Sequence, residues 1–435
     1  PPTPPSVTPQ PPLTSPAAAR AWLDAQQDTL VAVAAHTAEH GWPGHATRLA
    51  ATVHAHLDTG GHFPEAATMS SCARDAARQT GDHAAEAEAL VSLGLTDLQQ
   101  GRKPQATSHF QQAMALHRSA GNVTGEAHVL INLAYISLGQ GHYRQASGHS
   151  QQALTLCRKS GDRRGEAHTL DNLGIAELRQ GRYQQATSHF QQALTLFREI
   201  GDQDGEAQVL DNIGRVELRQ GRYQQATSHF QQALTLNREN SDRAGMTDSL
   251  LHLGQVALRQ GHHQQAASCN RQALTLAREI GSPDFEAYAL LRLGEVALRQ
   301  RRYQQATNHI QQAMIMLHEK GSQAGEVEAL NSLGEVLLAT GQPDDARVQF
   351  TAALTLASRI GERYEQARAH DGLARTCYAI ADPGQARDHW ERSFTLYAQL
   401  DVPDVDGVRA ALMRLDTDLN ENRAGPSFRN KNHRS

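Results

Sequence analysis

Lysine is almost absent from this chain: Lys103, Lys159, Lys320 and Lys431 are the only four, although lysine and arginine together number 41. Positive charge therefore sits on guanidinium groups, which grip carboxylates through two parallel hydrogen bonds and so favour acidic partners. Aromatic residues make up 5% of the 435 residues, too few for one large globular interior and better suited to many thin helical layers. The four cysteines, Cys72, Cys157, Cys269 and Cys377, lie far apart and form no CxxC pair. That spacing leads us to expect a reduced, cytoplasmic protein. No apolar run approaches the roughly 20 residues that span a bilayer, and the opening PPTPPSVTPQ lacks the charged and apolar regions of a signal peptide. A formal net charge of -5 supplies no broad basic field to draw the chain onto nucleic acid or an anionic membrane. There is no GxxxxGK[ST] loop to cradle phosphates and no HExxH zinc motif. The chain opens on Pro and not Met, as a piece of a longer protein would.

What is present is repetition. LRQGRYQQATSHFQQALTL at 178–196 recurs letter for letter at 218–236, a period of 40. The same register carries Gly101, Gly141, Gly181, Gly221, Gly261 and Gly341, and an alanine column from Ala106 to Ala386. Within one unit, Leu170, Leu173, Gly174 and Leu178, then Tyr183, Ala186, Phe190, Ala193 and Leu196, follow helical spacing on two successive segments. Gly181 sits where the first helix must stop and reverse, and Gly161 followed by Asp162 closes one unit and caps the next. Such short links force antiparallel neighbours. The expected fold is therefore all-α: an α-solenoid, wound as a right-handed superhelix, of tandem 40-residue helical hairpins. Small residues at Gly94, Ala134, Gly174, Gly214, Gly254, Gly294 and Gly334 are expected to face the alanine column and let the helices approach closely.

The expected organisation is a disordered Pro-rich linker over 1–16, then a capping helix and one atypical repeat over 17–81. Eight repeats follow over 82–401, a capping helix over 402–420 and a disordered polar tail over 421–435. Trp22, Leu23, Leu30 and Val33 are expected to seal the first hairpin.

The pattern Leu173, Gly174, Tyr183, Ala186, Phe190 and Ala193 resembles the tetratricopeptide consensus in its longer form, with Leu170 where an aromatic is usual. More narrowly, AWLDAQQDTLVAVAAHTAEHGW, LDTGGHFPEA and the GRYQQA arrays resemble the carboxy-terminal sensor region of actinobacterial transcription activators of the SARP and NB-ARC type. That resemblance implies a repeat array that senses a partner and restrains a switch, with an intramolecular partner in a longer parent protein as one form of it. It does not carry over DNA binding or ATP hydrolysis, because the winged-helix and nucleotide-binding segments are not in this sequence.

In tetratricopeptide stacks the first helices line the concave face, which marks candidate groove residues. One column is Asn132, Asn172 and Asn212, continuing into His252 and Arg292; side-chain amides can pair with the backbone of an extended peptide. A second is Arg179, Arg219, Arg259 and Arg299, suited to carboxylates. Asp171 and Asp211, with Glu295 and Glu335, divide the charge into patches. The bland account is that copied repeats copy solvated surface residues. His109, His149, His189, His229 and His309 recur at one place on the second helices, but equivalent atoms in stacked hairpins lie about 10 Å apart, against the roughly 2 Å of a zinc-nitrogen bond. No metal site, cofactor or catalytic constellation is expected. The expected role is a protein- or peptide-binding scaffold or sensor, not an enzyme, with no membrane partner; direct nucleic-acid binding by the arginine column is the alternative.

Overall fold

The computed structural model describes residues 15–424; residues 1–14 and 425–435, which hold most of the expected linker and tail, lie outside the described residues. Among the described residues there are 20 α-helices and no strand. None of these helices is long and apolar enough to cross a membrane. The chain divides into two compact units, 1–136 and 137–435.

The first unit comprises α1 (Pro16–Glu39), α2 (Pro43–Thr59), α3 (Phe63–Thr80), α4 (His83–Gln99), α5 (Lys103–Ala120) and most of α6 (Val123–Gly139). Ser15 caps α1, its hydroxyl accepting from the Ala18 amide at 3.1 Å. Pro16 is thereby the first helical residue and not part of the linker. The sealing face of α1 is Leu30, Val31 and Ala34, which pack on Val53, Leu57 and Met69. Val33 points away and is exposed, because the helical period leaves it off the stripe formed by its neighbours.

The second unit takes the end of α6 and continues through α7 (Tyr143–Ser160), α8 (Arg163–Arg179), α9 (Tyr183–Ile200), α10 (Gln203–Arg219), α11 (Tyr223–Glu239), α12 (Arg243–Arg259) and α13 (His263–Glu279). It ends with α14 (Pro283–Arg299), α15 (Tyr303–Glu319), α16 (Gln323–Ala339), α17 (Pro343–Ile360), α18 (Arg363–Ala379), α19 (Pro383–Leu400) and α20 (Asp404–Ala424). The last of these runs four residues into the stretch expected to be a tail. Turns recur every half repeat on one local design. Gly161, at φ +71°, ends α7, and Asp162 then accepts the Gly165 amide at 2.9 Å to start α8.

The glycines of the small-residue column meet first the residue four positions beyond each alanine, and Gly294 also comes near an alanine, at the Ala306 carbonyl. A methyl group on Gly214 would lie 2.7 Å from the Phe230 ring and one on Gly334 2.8 Å from the Phe350 ring; Gly174 meets Phe190 in the same way. The alanines are themselves fully buried, but the space opposite these glycines is filled by the residue four positions further along the second helix, Phe190, Phe230 and Phe350 here, Asn270 at Gly254 and Ile310 at Gly294. An i, i+4 pair shares a face, so both belong to one stripe and the larger member reaches the gap.

The second unit also winds back upon itself. One apolar cluster joins Leu170, Tyr183 and Phe197 of α8 and α9 to Tyr364, Trp390, Tyr397 and Leu400 of α18 and α19. Another joins Tyr143 and Ala176 to Val327, Ala357 and Ile360. Gly181 abuts Leu400, and a methyl group on Gly221 would come within 2.9 Å of Pro403. Within this unit the inner faces of the first helices, expected to form a concave groove, enclose a space.

Candidate functional site

Two adjoining cavities of about 400 and 210 Å³ occupy that enclosed space. The first helices of the repeats bring Arg219, Arg259, Arg292 and Arg299 to the larger one, and Arg179, Arg219, His252 and Arg292 to the smaller. Arginines at the last turn of α8, α10 and α12 converge because a 40-residue period returns the same face of each successive first helix.

Each of these arginines meets a carboxylate of its own chain. Arg179 donates to Glu362 at 3.2 Å, and Tyr143 donates its hydroxyl to the same carboxylate at 2.7 Å. Arg219 lies 3.6 Å from Glu365 and stacks over the Tyr364 ring, 3.9 Å from its centroid. Arg259 donates to Asp404 at 3.0 Å and also to the Tyr364 hydroxyl, which in turn donates to Asp404 at 3.0 Å. Arg292 binds Glu295 at 3.0 Å and also Glu328, and the more exposed Arg299 lies 3.7 Å from Glu335. Burial alone would raise the Glu328 carboxyl, but Arg292, Arg219 and Arg179 outweigh it and hold it at about 2. Glu335 is held at about 2 in the same way, burial being overcome by Arg368, Arg375 and Arg299. At neutral pH the wall thus carries alternating fixed charges of both signs.

The asparagine column is turned elsewhere. Asn212 is buried and donates to Asp171 at 2.8 Å, while Gln208 donates to the other oxygen of Asp171 at 2.8 Å. Asn172 is likewise buried, and Asp211 accepts from Ser249 at 2.8 Å. None of Asp171, Asn172, Asp211 and Asn212 lines either cavity. The physical reason is that a polar group copied into the seam between repeats must find a partner there, and the neighbouring repeat provides it. Asn132 belongs to the first unit, half-buried on α6. The recurring histidines clamp their own hairpins: His109 to Asp97 at 2.8 Å, His189 to Glu177 and His229 to Glu217 at 2.7 Å. At His309 the equivalent acid is Ala297, and burial lowers that imidazole. All four cysteines are free thiols, and burial pushes Cys157 up to about 11, away from the thiolate a nucleophile needs.

Sequence reasoning missed Glu328, Glu362, Tyr364, Glu365, Arg368 and Asp404. A signal existed, because GERYEQARAH at 361–370 departs from the GDRRGEAHTL of 161–170 at the very positions that form the contacts. Glu365 stands where Gly165, Gly205, Gly245 and Gly325 stand in other repeats.

These features define a class: tandem helical-hairpin scaffolds whose inner wall presents charged side chains to an enclosed space. The chain belongs to the tetratricopeptide repeat family, whose models match residues 47–119, 125–199, 167–239, 205–279 and 325–399, and 251–314. A search of the curated proteins found no match. Among solved structures, the Rap conjugation gene regulator of the plasmid pLS20 in complex with the Phr* peptide is similar at 14% identity and TM-score 0.59, over 78% of this chain and 96% of that one. A Rap protein complexed with Competence and Sporulation Factor is similar at 14% identity and TM-score 0.52, over 77% and 99%. Aspartyl phosphate phosphatase F from Bacillus subtilis is similar at 14% identity and TM-score 0.52, over 67% and 76%. At such identity these likenesses bear on the fold.

Proposed function

We propose that this chain is a regulatory scaffold that holds a peptide, or an extended segment of a partner protein, in the charged interior of its second unit. The observation that carries the reading is the pair of adjoining cavities, of about 400 and 210 Å³, walled by ionised groups of both signs on a rigid helical frame. Two structures of similar fold are complexes, one with the Phr* peptide and one with Competence and Sporulation Factor, which supports a ligand of this kind. The incoming segment brings its own carboxylates and cations. A ligand carboxylate takes the place of Glu362, Glu365 or Asp404 on its arginine, so ion pair is exchanged for ion pair and specificity comes from the spacing of the charges. The resemblance to the sensor region of antibiotic-regulatory activators extends this reading to transcriptional control, in a cytoplasmic setting.

Nucleic-acid binding by the arginine column draws less support, because Arg179, Arg219 and Arg259 each already face a carboxylate that would repel phosphate. The reading is tested by selecting binders from a random heptapeptide mixture on the purified chain and titrating them calorimetrically. Arg259→Lys and Arg299→Ala should weaken them at least about tenfold, because a lysine cannot reproduce the planar fork. Peptides bound equally by all three proteins would remove the inner wall as the site.

A further inference from the structure

His252 on α12 stacks on Phe230, with ring centroids 4.9 Å apart, and its two ring nitrogens point to carboxylates on either side. Nδ1 lies 3.6 Å from Asp211 and Nε2 lies 3.8 Å from Asp248, both too far for a hydrogen bond. The Asp211 side chain is 94% shielded from solvent by its 6% residual exposure, and its Oδ1 has no hydrogen-bond partner; neither has Nδ1 of His252. The contact is an ion pair at most, and neither buried atom closes to hydrogen-bonding distance. The gap has a simple geometric meaning. Two ligands about 2.1 Å from one tetrahedral ion stand about 3.4 Å apart, close to the 3.6 Å between Nδ1 of His252 and Oδ1 of Asp211; Nε2, on the other edge of the ring, does not bind that same ion.

We infer that Asp211, Asp248 and His252 form a site for one divalent transition-metal ion of the zinc class. One ligand atom from each residue lies within 4.8 Å of the others, and Asp248 and His252 also line the smaller cavity. Three protein ligands of mixed oxygen and nitrogen character leave at least one coordination position open to that cavity, the pattern of an exchangeable and not a closed structural site. Ser249, donating to Oδ2 of Asp211 at 2.8 Å, orients that carboxylate as outer-shell partners of metal ligands do. Arg215 donates to Asn212 at 2.8 Å, and its charge also reaches Asp248. His252 breaks the repeat: the equivalent residue is Asn172 or Asn212 in the preceding repeats and Arg292 in the next. His252 is therefore not a copied residue, although Asp211, on α10 of the preceding hairpin, repeats Asp171.

The test is equilibrium dialysis of the purified chain against ZnCl2 with the metal counted by mass spectrometry. Asp248→Asn, His252→Gln and the control His189→Gln are run alongside, with far-ultraviolet circular dichroism establishing that each is folded. Asp248 is half exposed, so its variant keeps the fold even where changes at the buried Asp211 do not. The expected result is one tight equivalent in the wild type and the control, weakened at least about tenfold in both Asp248→Asn and His252→Gln. Identical isotherms for all four proteins, or no tight equivalent in the wild type, would overturn the site.

Discussion

At the scale of single residues, Asp171 shows what it means to place a charge in the seam of a repeat array. Burial raises its carboxyl, while hydrogen bonds from Asn212 and Gln208 and the charge of Arg215 lower it; the balance stands at about 6 against an ordinary 3.8. The folded state therefore binds this proton more tightly than the unfolded chain. The stability it contributes is complete below pH 3.8 and is lost as pH rises through about 6. Asp171→Asn has no such proton. The advantage of wild type over this variant in urea melts should shrink by about 3 kcal/mol between acid and neutral pH, and a constant difference would show the carboxyl to be unperturbed. Nothing in the sequence distinguishes a copied Asp that is solvated from one that is buried, since both repeat with the same period. The burial of Asp171 and Asn212 depends on how tightly consecutive hairpins nest, a property of packing.

At the scale of the element, the helical hairpin was the most legible object. Gly161, Asp162 and Gly181 mark helix ends, and the apolar stripe from Leu170 to Leu196 marks the buried faces, because both signals depend on neighbours a few residues away. The identity of the residue opposite each small position was not legible in that way: Phe190 and Ala186 share one stripe, and only side-chain length decides which reaches Gly174. The turn glycines separate local from distant demands. Gly201 and Gly181 have nearly the same backbone, φ +69° and +75°, but a methyl group on Gly201 meets open space whereas one on Gly181 meets Leu400. Gly201→Ala should destabilise the chain by about 1 kcal/mol, the cost of a left-handed alanine. Gly181→Ala should lose at least about 1 kcal/mol more, because Leu400 must be displaced from a packed cluster. Equal losses in thermal melts would mean that α19 does not rest on this turn.

At the scale of the whole second unit, the decisive feature is that repeats far apart in sequence meet. The period of 40 fixes the hairpins but says little about how far the stack turns per repeat, since small differences in packing angle accumulate along it. The clue lay in the departures from the repeat. Glu362, Tyr364 and Glu365 replace consensus residues where α18 reaches Arg179 and Arg219, whereas Asp404, which meets Arg259, stands where Asp204 and Asp284 also stand. In the array, copied residues build the frame and uncopied residues mark where it touches itself. The same logic locates the arginine column, which was legible as chemistry, on an inner wall of paired charges and not on an open concave face.

The most direct test of that closure is a double-mutant cycle on Arg179 and Glu362, 183 residues apart in sequence and 3.2 Å apart in space. Urea unfolding of the wild type, Arg179→Met, Glu362→Gln and the double variant gives their coupling. A coupling of at least about 1 kcal/mol is the expected result, as for groups in one hydrogen-bonded network; effects that add to within about 0.5 kcal/mol would mean the two residues do not meet, and the enclosed site would go with them.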